Sequence, residues 1–240
     1  MLREGALFHL FVSGLVAALA AGVAALDRKG AVQLMLSRPI VLGPLLGWAL
    51  GDARGGLVIG IPLELLFLGG VNLGGSLPDN ETLLAGAMTT AAVLAGEATG
   101  TGVDPALAAL ALALLFPLAL VGRHLEGRSE AHNTAAFDLA FATVETDPDP
   151  FRINLRGLVL PFLATAAICF AAAFFSPLLA SVRASLSARF ASALTGSWHA
   201  IWALAAATAI RAVRDPRAPA FAAASFAVTL VAALLVEGWK

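Results

Sequence analysis

The chain has 240 residues and a formal net charge of −1; 59% of its residues are hydrophobic, 13% are charged, and its mean hydropathy is +0.86. A soluble domain is nearer half apolar and a quarter charged, and a chain with this little charge cannot solvate the surface of a water-soluble fold. The numbers exclude a soluble globular protein. The absence of any basic block also excludes a nucleic-acid binder. An integral membrane protein in a lipid bilayer is predicted. The single cysteine, Cys169, excludes an internal disulfide and reads as a small buried hydrophobe.

Apolar stretches of spanning or near-spanning length fall at 6–26, 39–50, 57–72, 83–97, 105–122, 157–180, 190–210 and 218–236. The expected fold is therefore all-α, a polytopic integral membrane protein with about eight apolar stretches. The first follows Arg3 as "ALFHLFVSGLVAALAAGVAAL" and, at about 20 residues, is long for a signal h-region and reads as a retained span. Residues 39–50 are too short to cross about 30 Å of hydrocarbon as an untilted helix. Residues 57–72 are interrupted by Pro62, Glu64 and paired glycines. Broken or re-entrant segments are thus expected around 39–72, of the kind that mark transporter substrate sites, with one kinked helix as the plainer alternative.

Between 123 and 156 lies the only long polar segment, read as an aqueous loop in which "AHNTAAFDLAFATVE" suits a short amphipathic helix and "DPDP" stops one. The expected organisation is a single membrane domain, 1–240. It comprises N-terminal helices to 122, the loop 123–156, and C-terminal helices over 157–240. If every stretch crosses and the loop is cytoplasmic, the inside holds Arg28, Lys29, Arg38, Arg123, Arg128, Arg152, Arg156, Arg211, Arg214 and Arg217. The outside then holds Arg3, Arg54, Arg183, Arg189 and Lys240, which favours this orientation. With no Tyr present, Trp48, Trp198, Trp202 and Trp239 are the candidate interfacial belt.

An ionisable side chain at membrane depth is a functional hypothesis by default, and Glu64 is the strongest candidate. Asn72 lies eight positions on, about 80° and 12 Å away on a regular helix, and a break at Gly69–Gly70 brings it closer. A carboxylate beside a carboxamide offers acceptors and donors that match vicinal sugar hydroxyls. The structural alternative is a Glu64 hydrogen-bonded to a neighbouring helix or neutral. Asp27, Gln33 and Asp79 are second-rank candidates to line or cap a cavity. Taken singly, Asp27, Asp52, Asp79 and Asn80 are more simply caps or turn residues. His199, between two tryptophans in "GSWHAIW", reads as either a proton relay or an interface residue. No catalytic constellation, metal-ligand set or cofactor motif is legible.

The frame from Gly51 to Asp79, "GDARGGLVIGIPLELLFLGGVNLGGSLPD", resembles the membrane IIC subunit of the mannose/fructose/sorbose family of the bacterial sugar phosphotransferase system. The resemblance is carried by Gly51-Asp52, Gly56, Ile59-Gly60, Glu64, Gly69, Asn72, Gly74 and Pro78-Asp79. Upstream, Asp27 and Arg38-Pro39 flank a segment holding Gln33. It is sharp over about residues 26–86 and looser elsewhere.

The resemblance implies a subunit of the bacterial inner membrane that binds a hexose and passes it to a IIB protein for phosphorylation. Its Glu64, Asn72, Gln33, Asp27 and Asp79 would contact substrate, while Gly51, Asp52, Gly60, Gly69, Gly74, Arg38 and Pro39 form the structural motif. It implies a second membrane subunit, IID, cytoplasmic IIA and IIB partners, and a trimeric assembly of IIC–IID pairs. It implies no cofactor and no catalysis by the subunit alone. The alternatives are an ion- or proton-coupled secondary transporter and a non-transporting scaffold or receptor of the same family.

Overall fold

The computed structural model describes residues 2–31, 33–68, 77–142, 150–213 and 215–237. Among them are nine helices and no strand: α1 (Leu2–Arg28), α2 (Pro39–Ala49), α3 (Ala53–Phe67), α4 (Glu81–Thr99), α5 (Pro105–Leu115), α6 (Pro117–Ala142), α7 (Pro150–Ser185), α8 (Ala188–Ala212) and α9 (Ala218–Glu237). Four stretches are long and apolar enough to cross a bilayer: Glu4–Arg28, Pro105–Ala135, Leu155–Ser185 and Ala188–Ala212. The protein is an all-α membrane protein, as the composition demands.

The centre of the bundle is α4, whose residues from Thr82 to Gly96 are all buried. It is built mainly of Ala, Gly and Thr, which let neighbouring backbones approach closely where lipid offers no hydrophobic drive for helix association. Helices α7, α2, α3, α1 and α5 pack around it, and α1 runs along α7. Cys169 on α7 is fully buried, with its Sγ over Gly86 of α4.

Residues 39–67 form a helical hairpin rather than one kinked helix. The chain turns at Leu50–Asp52, where Gly51 takes φ +97°, a conformation open to glycine. Asp52 accepts from the Gly55 amide at 2.7 Å and caps α3. The two helices touch backbone to backbone. A Cβ on Gly56 would lie 2.2 Å from the Gly43 carbonyl oxygen, and one on Gly60 would lie 2.4 Å from that of Pro39. At 11 residues α2 spans only about 16 Å, and it packs on α3 and α4.

The polar segment is largely helical rather than a loop. Pro117 cannot donate to the preceding turn, so the helix resets at Phe116 and then continues as α6 to Ala142. The next helix starts at Pro150 and, with 36 residues, extends about 54 Å, well beyond the hydrocarbon. The prolines inside α7 are compensated by side chains. Pro177 frees the Ala173 carbonyl, which accepts from Ser176 Oγ at 2.7 Å. Pro161 frees the Gly157 carbonyl, and Asn133 of α6 reaches it at 3.5 Å. A single-sequence reading sees polar residues here but not the packing that buries Ser129 and, against Arg28 and Asn80, Glu126.

Of the tryptophans, Trp48 is exposed, whereas Trp198 is buried and Trp202 packs on the core, so the last two are not belt residues. Gly69, Asn72, Gly74 and Trp239 lie outside the described residues. If backbone contact holds the hairpin, Gly56→Ala in detergent loses about 1–3 kcal/mol of stability by overpacking. A clear fall in melting temperature is expected, whereas Gly5→Ala, with nothing within 4 Å of its added methyl, leaves it unchanged or slightly raised.

Candidate functional site

At one end of the bundle the C-termini of α1 and α3 meet the N-termini of α2 and α4 and the middle of α6. They enclose an open cleft of about 1100 Å³. Its lining is dominated by charge: Asp27, Asp79, Glu81, Glu126 and Glu130 against Arg28, Lys29, Arg38 and Arg123, with Gln33 and Ser37 between them. Leu68 and Leu77, the described residues on either side of 69–76, also line it.

Asp27 ends α1 and is 5% exposed. Its carboxylate accepts from the Leu34 amide at 2.6 Å, the Ser37 amide at 3.2 Å and Ser37 Oγ at 3.4 Å. Both oxygens are thus engaged in folding the 29–38 loop back across the helix end. That loop carries two non-glycine residues in the left-handed region, Gln33 at φ +61° and Met35 at φ +60°. Such backbones persist only where their surroundings over-determine them. The result places Gln33, exposed, on the cleft wall.

Glu64 sits in the last turn of α3 with its side chain 12% exposed. Its Oε1 is 3.5 Å from Arg38 Nη1, while Oε2 is buried with no hydrogen-bond partner among the described residues. Arg38 is the N-cap residue of α2 and caps nothing with its own side chain. The Ile40 amide in α2's first turn faces Glu64, so the carboxylate also lies at a helix N-terminus, where negative charge is favoured. Glu64 is not itself a lining residue. Arg38 stands between it and the cleft, more exposed, at 45%. Asp79 lines the cleft and pairs with Arg123 Nη1 at 3.2 Å.

The structure therefore brings Asp27, Gln33, Arg38 and Asp79 to one cleft, with Glu64 behind Arg38. Asn72 falls outside the described residues. Gly51 and Asp52 lie at the far tip of the hairpin, beside Gly102 and Val103, and serve the turn there. Among the described residues no group of three or more His, Cys, Asp and Glu is arranged to hold a metal ion.

Sequence reasoning missed the ion network beneath the cleft. Arg28 donates to Glu126 Oε1 at 2.7 Å and pairs closely with Glu81. Asn80 donates to Glu126 at 3.0 Å and caps α4 by accepting from the Leu83 amide at 2.9 Å. Lys29 pairs with Glu130 at 3.4 Å. The partners are 46 to 101 residues apart in sequence. Their one local signal is charge at the edges of apolar stretches. If Asp27 holds the loop, Asp27→Ala removes charge-assisted bonds worth about 1.5–3 kcal/mol. Amide exchange at Leu34 and Ser37 should then accelerate ten-fold or more, with much smaller changes in α5; unchanged protection would count against the role.

The family model described as the PTS system sorbose-specific IIC component matches residues 11–237. The mannose-specific EIIC component of Escherichia coli (strain K12) is 34% identical over 106 residues, covering 43% of this chain and 36% of that protein. The alignment thus spans about a third of that relative. The putative N-acetylgalactosamine permease IIC component 2 of the same strain is 35% identical over 117 residues, covering 49% of this chain and 79% of that protein. A solved structure titled a membrane protein superposes with a TM-score of 0.68 at 22% identity, covering 96% of this chain and 92% of the other. A chain from the complex of the mannose transporter ManYZ with microcin E492 gives a TM-score of 0.51 at 21% identity, covering 96% and 91%; both likenesses are of fold. With a family match that runs from within α1 to the end of α9, the chain belongs to the sorbose-type IIC family of the sugar phosphotransferase system.

Proposed function

We propose that this subunit binds a hexose at the cleft and carries it across the bacterial inner membrane, passing it to a IIB partner for phosphorylation. The observation that carries this reading is the buried Glu64 oxygen, without a hydrogen-bond partner among the described residues, behind a half-exposed Arg38 and beside a cleft lined by Gln33 and Asp79. Carboxylate, guanidinium and carboxamide together present the donors and acceptors that a polyhydroxylated ring satisfies. The cleft volume is slightly above the usual range for small-molecule sites, as suits an open cleft. Asn72, in the 69–76 segment between two cleft-lining leucines, is proposed as a further sugar contact, and Asp27 as the residue that holds the wall.

The orientation follows from charge. The cleft end carries Arg28, Lys29, Arg38 and Arg123, and the opposite end carries Arg54, Arg183 and Arg189. The cleft then opens towards the cytoplasm, where a IIB protein would meet an arriving sugar. The subunit itself does no phosphoryl chemistry. Transport is driven because phosphorylation on the inside removes sugar from the return equilibrium, and IIA and IIB carry the phosphate. A IID membrane subunit completes the unit, three such pairs forming the assembly, with this chain acting as one membrane domain.

A second reading makes Glu64 a proton carrier in an ion-coupled transporter, and it rests on the same buried oxygen. Burial of the side chain favours the neutral acid that such a carrier needs, whereas the Arg38 guanidinium 3.5 Å away favours the charged form, and it is the family match that ranks this reading second.

The test is binding of labelled mannose, fructose, sorbose and N-acetylglucosamine to the detergent-solubilised chain with IID, using wild type and Glu64→Gln. One hexose is expected to bind saturably and to bind about 10- to 100-fold more weakly to the variant, the size of a lost charge-assisted hydrogen bond. Unchanged affinity would make Glu64 structural. Uptake abolished by an uncoupler and independent of phosphoenolpyruvate would establish the second reading, and no binding to a well-folded complex would leave an idle scaffold.

A further inference from the structure

Beside the cleft, α6 carries a second concave surface on its outer side. It is an open groove of about 620 Å³ lined by Arg123, His124, Gly127, Arg128 and Ala131, with Leu77 on one flank and Leu120 at one end. Helix periodicity builds it. At 100° per residue, Gly127 and Ala131 fall within about 20° of Leu120, Arg123 about 60° to one side and Arg128 about 80° to the other. Two residues with little or no side chain thus form a floor between two guanidiniums. Leu77 closes against that floor, where a Cβ on Gly127 would lie 3.3 Å from Leu77 Cδ1.

The groove is cationic without any charge on His124. Arg128 is exposed and, among the described residues, makes no hydrogen bond or ion pair. Arg123 gives Nη1 to Asp79 at 3.2 Å and keeps further N–H donors. Glu126 and Glu130 of the same helix are taken up by Arg28 and Lys29. Depth adds a second constraint. The candidate span Pro105–Ala135 begins beside the Asp104–Arg183 pair, and Arg123 lies about 27 Å further along the axis. The two arginines therefore stand where about 30 Å of hydrocarbon gives way to headgroups. One and two turns before them on the same line, Leu120 and Phe116 are exposed and apolar.

We propose that the α6 groove binds the phosphodiester of an anionic membrane lipid, of the phosphatidylglycerol type. The phosphate sits over Gly127 and Ala131 between Arg123 and Arg128, and the acyl chains run down past Leu120 and Phe116. Guanidinium and phosphate form charge-assisted hydrogen bonds, two at a time where the fork meets two oxygens. Basic pockets at a membrane surface select anionic headgroups on this ground. A soluble phosphate or an acidic protein surface would satisfy the arginines alone. At this depth a lipid engages both the cations and the apolar residues directly beneath them. Arg123 and Leu77 also line the cleft, so the bound lipid borders it.

The test titrates the detergent-solubilised full chain with dioleoyl phosphatidylglycerol or dioleoyl phosphatidylcholine and counts bound lipid by native mass spectrometry. Phosphatidylglycerol is expected to bind the more tightly. Arg128→Gln should weaken it about 5-fold, the size of one cation's attraction to an anionic membrane, while leaving phosphatidylcholine unchanged and Arg128→Lys close to wild type. Ala131→Leu keeps both arginines but fills the floor, and a similar loss is expected from it. Both positions are exposed, so these variants keep the fold. Equal binding of the two lipids, or an Arg128→Gln variant that binds like wild type, would overturn the site. Full binding by Ala131→Leu would mean diffuse attraction and overturn the groove. Glycerol phosphate that displaces the lipid at equal concentration would overturn the lipid as occupant, as would loss of lipid binding when a partner protein co-purifies.

Discussion

The guanidinium of Arg28 gathers two helix ends and the middle of a third helix that the chain keeps far apart. It ties the C-terminus of α1 to Glu81 at the start of α4 and to Glu126 midway along α6, and Asn80 joins the same carboxylate while capping α4. All three charged side chains are largely withdrawn from solvent. Removing one partner from such a cluster strands the others and costs about 3–5 kcal/mol. The cleft floor follows from this contact, because where α1 ends fixes where Asp27 stands, and Asp27 fixes the 29–38 loop that forms one wall.

The other wall depends on an interaction of opposite character. The α2–α3 hairpin is held by glycines whose missing side chains let two backbones meet, Gly56 against Gly43 and Gly60 against Pro39. In a bilayer, where burying an alkyl side chain gains little over leaving it in lipid, this close packing substitutes for a hydrophobic core. It brings the last turn of α3 beside the first turn of α2, and so Glu64 beside Arg38. Neither residue determines that neighbourhood; the shape of the hairpin does.

Much of this was legible in residue types. A charge content of 13% ruled out a soluble fold, and Pro62 with Glu64 and the paired glycines marked 39–72 as broken. The fixed spacings from Gly51 to Asp79 pointed to the family. Asp27, Gln33, Arg38 and Asp79 were all singled out in one chain, and they meet in one cleft. What was not legible was the division of labour among them. Asp27 reads in sequence as a helix-end or turn residue and only second as a cavity carboxylate, and its oxygens are occupied by the Leu34 and Ser37 amides. The segment after Arg123 reads as loop because its helix period is polar, and only packing into the bundle, with Arg28 and Asn80 on Glu126, buries Glu126 and Ser129. Trp198 reads as a belt residue because tryptophan favours interfaces, and the packing of α8 turned it inward.

By itself, then, the sequence determined the solvent this protein lives in, its helical architecture, its family and the pool of polar residues from which a site is made. These are properties of composition, hydropathy and short fixed spacings, which a chain carries whatever its partners in space. Only the tertiary structure decided which charges pair, which carboxylate oxygens are engaged by loop amides, and which backbones touch. The physical reason is that an ion pair or a backbone contact depends on distance in space, and Arg28 and Glu126, 98 residues apart, come within 2.7 Å only once α1 and α6 are packed.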